Sequence, residues 1–378
     1  MWLTAAQALE RLGTKPQSLY ASVSRGRVAA KPDPADSRRS LYREEDIDRL
    51  AHRARGRGRT GAVAAEAMNW GEPVLPSAIS TMAGGRLFYR GQDAVKLAAK
   101  ATLEDIAKLL WALPGAPLLE AERLPVSPSM HRLFSALAER AATDPPSLGR
   151  GRVLLLRDAT GLLSLVANQL TSPGDTPIHV RLAARWDRPA AADSLRRALV
   201  LLADHELNVS TFAARVTVSA GASLAAGMLA GLCALSGPLH GDAAAPIMAL
   251  AADVADDSQG AEHALREWVG EGRTIPGFGH RLYPRGDVRA SALLANLELP
   301  KSYNTFRSAA ENLSGELPNV DFALAALAST YGLPREAPRS LFALARSVGW
   351  LAHMIEQVTS GTLIRPRAHY VGPAVRPS

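Results

Sequence analysis

The sequence predicts a protein built almost wholly of α-helix and divided into two or three domains. Three observations carry that prediction. The chain has 378 residues, more than one hydrophobic core usually organises. It is 47% hydrophobic and 21% charged, yet only 5% aromatic, with alanine and leucine throughout and few β-branched runs. Beyond about residue 70, helical patterns follow one another between proline and glycine breaks. The one cysteine, Cys233, has no internal partner, which favours a reducing compartment, and no secretory signal pattern opens the chain. A cytoplasmic location is expected. Residues 216–239 lack charge and are long enough to span a bilayer, but they are mostly Ala, Gly and Ser and run straight into His240. They read as a tightly packed core helix, so no membrane partner is expected.

The first element is LTAAQALERLG. Leu3, Ala6, Leu9 and Leu12 keep helical spacing and Gly13 ends the run. TKPQSLYASVSRG restarts a helix, with Thr14 able to cap and Pro16 suited to the first turn. VAAKPDPADSRRSLY reads as two extended runs around a Pro/Asp turn, and REEDIDRLAHRA as a further helix. Charge is concentrated here: residues 1–60 carry a balance of +6, out of +7 for the whole chain. Residues 1–54 resemble the small winged helix-turn-helix domains of the excisionase and MerR type. That resemblance implies a possible DNA partner, with Gln17, Ser18 and Tyr20 reaching bases and Arg25, Arg27, Arg38 and Arg39 meeting phosphates. The alternative is a domain that only packs or mediates assembly, its arginines forming a solvated face. Residues 55–69 read as a basic linker. Gly56, Gly58 and Gly61 have GxGxxG spacing, but no strand precedes them, so a dinucleotide site is rejected.

The body, residues 70–378, holds no CxxC pair or HExxH motif, so no metal or cofactor is expected. Polar clusters interrupt its apolar helices. ADHELNVSTFAARV carries His205 and Arg215; SGPLHGDAAAP carries His240; RTIPGFGHRLYPRGDVRA carries His280, Arg281, Arg285 and Arg289 between glycines. LPNVDFALAAL places Asp321 at a helix start, ARSVGWLAHMIEQ carries Arg346, and LIRPRAHYVG carries Arg365. Singly each has a plain reading: Asp321 as an N-cap, Arg346 as a surface ion pair, a histidine at a helix end as structural. Together, two glycine-flanked histidines, a carboxylate and several arginines are the parts for condensing an acidic C–H donor onto an anionic carbonyl compound.

SGPLHG, PGFGHRLYPRGDVRA, LPNVDF, ARSVGWLAHMIEQ and IRPRAHYVG occur in the order found in the citrate synthase family, and GGRLFYRGQDAVKLA resembles its YRG motif. The body resembles that family over roughly residues 70–375. The resemblance implies an all-α fold of a large and a small domain, the small one spanning roughly 241–340, assembled as a homodimer. It implies that Asp321 takes a proton from the acyl methyl of acetyl-CoA, His240 stabilises the enol or enolate, and His280 polarises the ketone of oxaloacetate. It further implies that His205, Arg289, Arg346 and Arg365 hold oxaloacetate, Arg365 coming from the other subunit. Gly277 and Gly279 would lie near CoA, and Arg281 and Arg285 near its phosphates. The family's run after the first histidine is of the type HGGAN; here it is HGDAAAP, and Asp242 could raise the pKa of His240. The expected reaction gives citrate and CoA. The alternatives are a 2-methylcitrate synthase using propionyl-CoA and a metabolite-sensing, DNA-binding regulator.

Overall fold

The computed structural model describes residues 2–12, 19, 22–23, 28–33, 36–48, 75–122, 127–241, 243–253, 258–366, 368 and 372–373. The chain divides into two compact units, residues 1–76 with 365–378, and residues 77–364. The expectations placed on Gln17, Ser18, Tyr20, Arg25, Arg27, the 55–69 linker and Asp242 lie outside the described residues, as do the side chains of Arg38 and Arg39.

In the first unit, strand β1 (Trp2–Leu3) leads into helix α1 (Ala5–Leu12). Thr4 and Gln7 cap that helix reciprocally, with Thr4 N–H donating to Gln7 Oε1 at 2.9 Å and Gln7 N–H to Thr4 Oγ1 at 3.4 Å. The two extended runs around the Pro/Asp turn are β2 (Ala30–Asp33) and β3 (Asp36–Arg43), an antiparallel hairpin. β1 adds to the other edge of β3, a pairing that a two-residue strand gives no periodicity to announce. Arg43 closes β3 rather than opening a helix, and helix follows at residues 44–48. Leu3, Ala8, Leu12, Leu19, Val28, Tyr42 and Ile47 form a core of their own.

The second unit opens with a small sheet inside an otherwise helical fold. β4 (Ser80–Ala83), β5 (Arg86–Tyr89) and β6 (Gln92–Asp93) form a three-stranded antiparallel sheet. Gly84 and Gly85, at φ +59° and +78°, make the two-residue hairpin turn. Everything after it in this unit is helical or loop among the described residues. The helices are α2 (Ala94–Ala98), α3 (Leu103–Trp111), α4 (Met130–Thr143), α5 (Arg152–Leu170), α6 (Ile178–Arg185) and α7 (Ala192–Leu202). Then come α8 (Val209–Ser219), α9 (Leu224–Leu235), α10 (Ala244–Asp253), α11 (Ser258–Gly270) and α12 (Val288–Leu294). The last are α13 (Lys301–Ser314), α14 (Val320–Thr330) and α15 (Ala337–Ser360).

The uncharged 216–239 segment is not one helix. It breaks at Gly221 (φ +89°), and Ser223 caps α9 by accepting from Ala226 N–H at 3.2 Å. Its small residues do serve close packing. A Cβ on Gly227 would sit 2.2 Å from Met354 Sδ, and one on Gly231 3.0 Å from the Trp350 ring, both on α15. Among the described residues one helix, α5, is long and apolar enough to cross a membrane, and half of that stretch is buried inside the protein.

Two hydrophobic clusters organise this unit. The larger surrounds α15, whose side chains are buried along most of its length. The smaller joins α10, α11, α13 and part of α14 around Ile247, Leu265, Phe306 and Phe322. Helix α14 serves both: Val320, Ala323, Leu324 and Leu327 face the larger cluster, and Phe322, Ala325 and Ala326 the smaller. A helix apolar all round is what that double burial requires.

Candidate active site

Asp321 is the second residue of α14, and it is not the cap. Asn319 is: its Oδ1 accepts from Asp321 N–H at 3.0 Å and from Phe322 N–H at 3.4 Å. The Asp321 carboxylate is left half-buried and makes no hydrogen bond among the described residues. Burial pushes its pKa up to about 6, with Arg289 and Arg346 pulling against that and Asp287 adding to it. A carboxylate of that pKa is a stronger base than an exposed one and is still ionised at neutral pH.

Asn319 also pins the loop that carries His280. Its N–H donates to Gly277 O at 2.8 Å and its Nδ2 to Gly279 O at 3.1 Å, while Gly279 N–H donates to Leu317 O at 2.9 Å. Gly277 and Gly279 have φ +86° and +71°. A Cβ on Gly277 would lie 2.8 Å from Ile247 Cδ1. These glycines therefore let one loop lie flat against the start of α14.

Leu282 N–H donates to His280 Nδ1 at 3.2 Å. In the neutral ring the proton is then on Nε2. Burial, with Arg289 adding, pushes the His280 pKa down to about 4, Asp287 opposing, so the ring is neutral at pH 7. Its centroid lies 5.5 Å from that of His205 and 5.0 Å from that of Tyr283. His205 Nε2 and Tyr283 Oη are 3.0 Å apart. Burial first, then Arg289 and Arg346, hold buried His205 well below the usual histidine range. Burial raises Tyr283 to about 12, so its hydroxyl stays protonated.

Arg289 is 3% exposed and forked on Asp287, with Nε to Oδ1 at 3.0 Å and Nη2 to Oδ2 at 2.8 Å. Asp287 Oδ2 also accepts from Val320 N–H at 3.0 Å, tying the start of α12 to the start of α14. Arg346, on α15, is 1% exposed and so is no surface ion pair. Its Nε donates to Leu202 O at 2.9 Å, and its two Nη groups make no hydrogen bond among the described residues. Burial lowers its pKa to about 10, Asp204 opposing and Arg289 adding, which leaves it charged at neutral pH. Arg289 is spent on Asp287, whereas the Nη groups of Arg346 remain as donors for the oxygens of an anion.

His240 follows α9. Its Nε2 is 2.8 Å from Ser210 Oγ, which accepts from Trp350 Nε1–H at 3.1 Å and donates to Asn208 Oδ1 at 2.7 Å. Burial and Arg346 push the His240 pKa down to about 4. Behind His205 runs a buried polar string. Glu356 Oε2 accepts from Arg215 Nη1 at 2.7 Å, Arg215 Nη1 donates to His353 Nδ1 at 3.1 Å, and His353 Nε2 meets Asp204 Oδ2 at 3.1 Å. Ser80 Oγ donates to the same Asp204 oxygen. Arg215 is thus a structural member of this string.

His205, His280, Arg289, Arg346 and Asp321 are joined by these contacts and fields, and His240 by the field of Arg346. Arg281 and Arg285 are exposed. Arg365 is exposed and groups with residues 1–76. Sequence reasoning missed Tyr283, Asp287, Ser210 and Asn319. Asp287 was signalled by its place two residues before Arg289; Ser210, 30 residues before His240, had no such local signal.

A mostly helical fold that gathers an unbonded carboxylate, neutral histidines and two buried arginines has the parts of the proteins that condense carbon acids with anionic carbonyl compounds. The citrate synthase C-terminal domain matches residues 159–367, and the chain belongs to the citrate synthase family of condensing transferases. Citrate synthase 2 of Bacillus subtilis is 30% identical over 356 residues, covering 79% of this chain and 93% of that one. 2-Methylcitrate synthase 2 of Corynebacterium glutamicum is 33% identical over 198 residues, 50% of this chain and 51% of its own. The citrate synthase of Thermoplasma acidophilum, solved as a ternary complex with carboxymethyl coenzyme A and oxaloacetate, is 25% identical. It superposes with a TM-score of 0.67 over 81% of this chain and 96% of its own.

Proposed function

We propose that the chain condenses acetyl-CoA with oxaloacetate to give citrate and CoA, and the observation that carries this reading is Asp321. Its carboxylate is hydrogen-bonded to nothing among the described residues, has a pKa of about 6, and faces the field of two buried arginines. Asp321 removes a proton from the acyl methyl. The charge that develops on the thioester oxygen is met by His240, which donates from Nδ1 once the Ser210 hydroxyl turns from Asn208 to Nε2. The single Ser210 proton decides this: turned from Asn208 to His240 Nε2, it sets the tautomer with hydrogen on Nδ1. The enol carbon attacks the ketone of oxaloacetate, and His280 Nε2–H protonates the oxygen that becomes the hydroxyl. Neutral donors suit both steps, because neither must ionise first. Arg289, Arg346 and His205 bind the dicarboxylate, whose charge answers the two buried guanidiniums. Water then cleaves the citryl thioester and CoA leaves. No further cofactor takes part. Arg281, Arg285, Gly277 and Gly279 form the CoA side of this reading.

Arg365 completes the site from a second copy. The homodimer is supported by an apolar stretch with no cover in one chain: Leu148 and Val153 are each 80% exposed and Leu154 46%. Leu148 leans on Gly221 at the turn between α8 and α9, so the patch spans the α5, α8 and α9 ends. For residues 1–54, the β2–β3 hairpin and separate core support a winged helix-turn-helix module, tested by a gel shift with genomic fragments at physiological salt.

The deciding experiment is CoA release by the full-length protein given oxaloacetate and either acetyl-CoA or propionyl-CoA. Release is expected to need oxaloacetate and to vanish in Asp321→Asn. The faster acyl donor separates citrate from 2-methylcitrate synthesis, a choice worth only about 1–3 kcal/mol of pocket fit. No release with either donor would overturn the reading.

A further inference from the structure

A cleft of about 320 Å³ opens between the end of α3, the first turn of α5 and the last turns of α15. It shares no lining residue with the constellation around Asp321. Its floor is apolar, made by Leu110, Ala352 and Ile355, and two arginines, Arg90 and Arg152, stand over it with Glu356.

Both arginines have a structural task. Arg90 Nε donates to Leu110 O at 2.9 Å, and Arg152 Nη2 to Trp111 O at 2.5 Å, so each meets a last carbonyl of α3. Capping alone does not use up their charge. A helix C-terminus carries roughly half a negative charge, and two helices, α3 and α15, end at the cleft. Together they offset about one of the two positive charges. Glu356 also lines the cleft, but its charge is shared: it pairs with Arg215 Nη1 at 2.7 Å, accepts from Ala78 N–H at 2.8 Å, and acts on Arg90 only through space. Among the described residues Arg90 and Arg152 form no ion pair. Burial, with Arg152 adding and Glu356 opposing, holds Arg90 below the usual arginine range. Arg90 is also fixed in place. It is a non-glycine residue at φ +44°, held there by its N–H bond to Ile79 O at 2.9 Å. Two exposed guanidiniums, each anchored by one bond to a last carbonyl of α3 and with donors to spare over an apolar floor, match the oxygens of a multivalent anion.

We infer that this cleft binds a small multivalent oxyanion, a carboxylate or phosphate compound, through Arg90 and Arg152, at a site separate from the reacting centre. The inference does not rest on the proposed reaction. The test is calorimetric titration of the full-length protein with citrate and, separately, with inorganic phosphate, compared with Arg152→Gln and Arg90→Lys. A binding event weakened about tenfold or more in both variants, with CoA release unchanged, is the expected result. The ion that shows it names the chemistry. Should Arg90→Lys disturb folding, Arg152→Gln, altered at an exposed side chain, decides alone. Isotherms for both ions that are the same in the unaltered chain and in Arg152→Gln would overturn the inference.

Discussion

At the scale of single residues, Asp321 sets the terms on which the site works. In the proposed reaction its carboxylate must be ionised to act as base, so kcat/KM is expected to rise with pH through about 6 and then level off. His240 and His280, held near 4, should add no limb between pH 5 and 8. The same carboxylate weakens the fold. Its folded pKa lies above the unfolded value of 3.8, so its effect on stability is absent below that value and unfavourable once pH passes about 6. Asp321→Asn should therefore abolish CoA release yet raise stability at pH 8 by about 1–2 kcal/mol, with no gain at pH 3.5, as thermal melts at the two pH values would show. Tyr283→Phe removes the hydroxyl that meets His205 Nε2 at 3.0 Å and should lower kcat/KM about 5–20-fold with little change in melting temperature. Arg289 and Arg346 stand in long ordered motifs and His205 in a polar interruption of an apolar run, so all three could be proposed from the sequence. Tyr283 and Ser210 were not, because a hydrogen bond made across 78 or 30 residues depends on a tertiary approach that no local pattern records.

At the scale of elements, the helix starts did the positioning. Asn319 caps α14, holds the His280 loop, and so sets Asp321 and His280 in one frame. Gly277→Ala should test that frame. The new Cβ would require a residue at φ +86° and stand 2.8 Å from Ile247 Cδ1 and 3.1 Å from Phe322 Cβ. A loss of about 1–3 kcal/mol in urea unfolding is expected, together with reduced kcat. Helical periodicity made most of these elements readable. The break at Gly221 was not, because an uncharged run shows no polar face whose interruption would mark a helix end. The β4–β5 hairpin is hidden in the sequence because its four-residue strands give too few alternations to separate from helix.

At the scale of the whole molecule, a shared site predicts complementation. Asp321→Asn and Arg365→Ala chains should each be inactive alone. Mixed and re-equilibrated in equal amounts, they should recover about a quarter of the unaltered activity, since half of the dimers are mixed and each holds one complete site. No recovery from chains shown to exchange would place Arg365 outside the reaction. No linker marks the division of residues 77–364 into two clusters and one helix belongs to both, so only the family resemblance, with its small domain at roughly 241–340, suggested it.

That shared helix decides where the catalytic apparatus would come apart. His205, Arg346 and Ser210, which holds His240, are borne by helices and loops of the larger cluster, whereas the His280 loop is stitched through Asn319 to the start of α14. If the smaller cluster swings on its neighbour, α14 is the axle, and Asp321 lies near the line that moves least. Asp321 and His280 would then travel as one block, parting from His240 and breaking the contact between Tyr283 and His205. Admission of the thioester and assembly of its oxyanion partner would be a single event, leaving the proton-abstracting group unable to meet a substrate whose charge has nowhere to go.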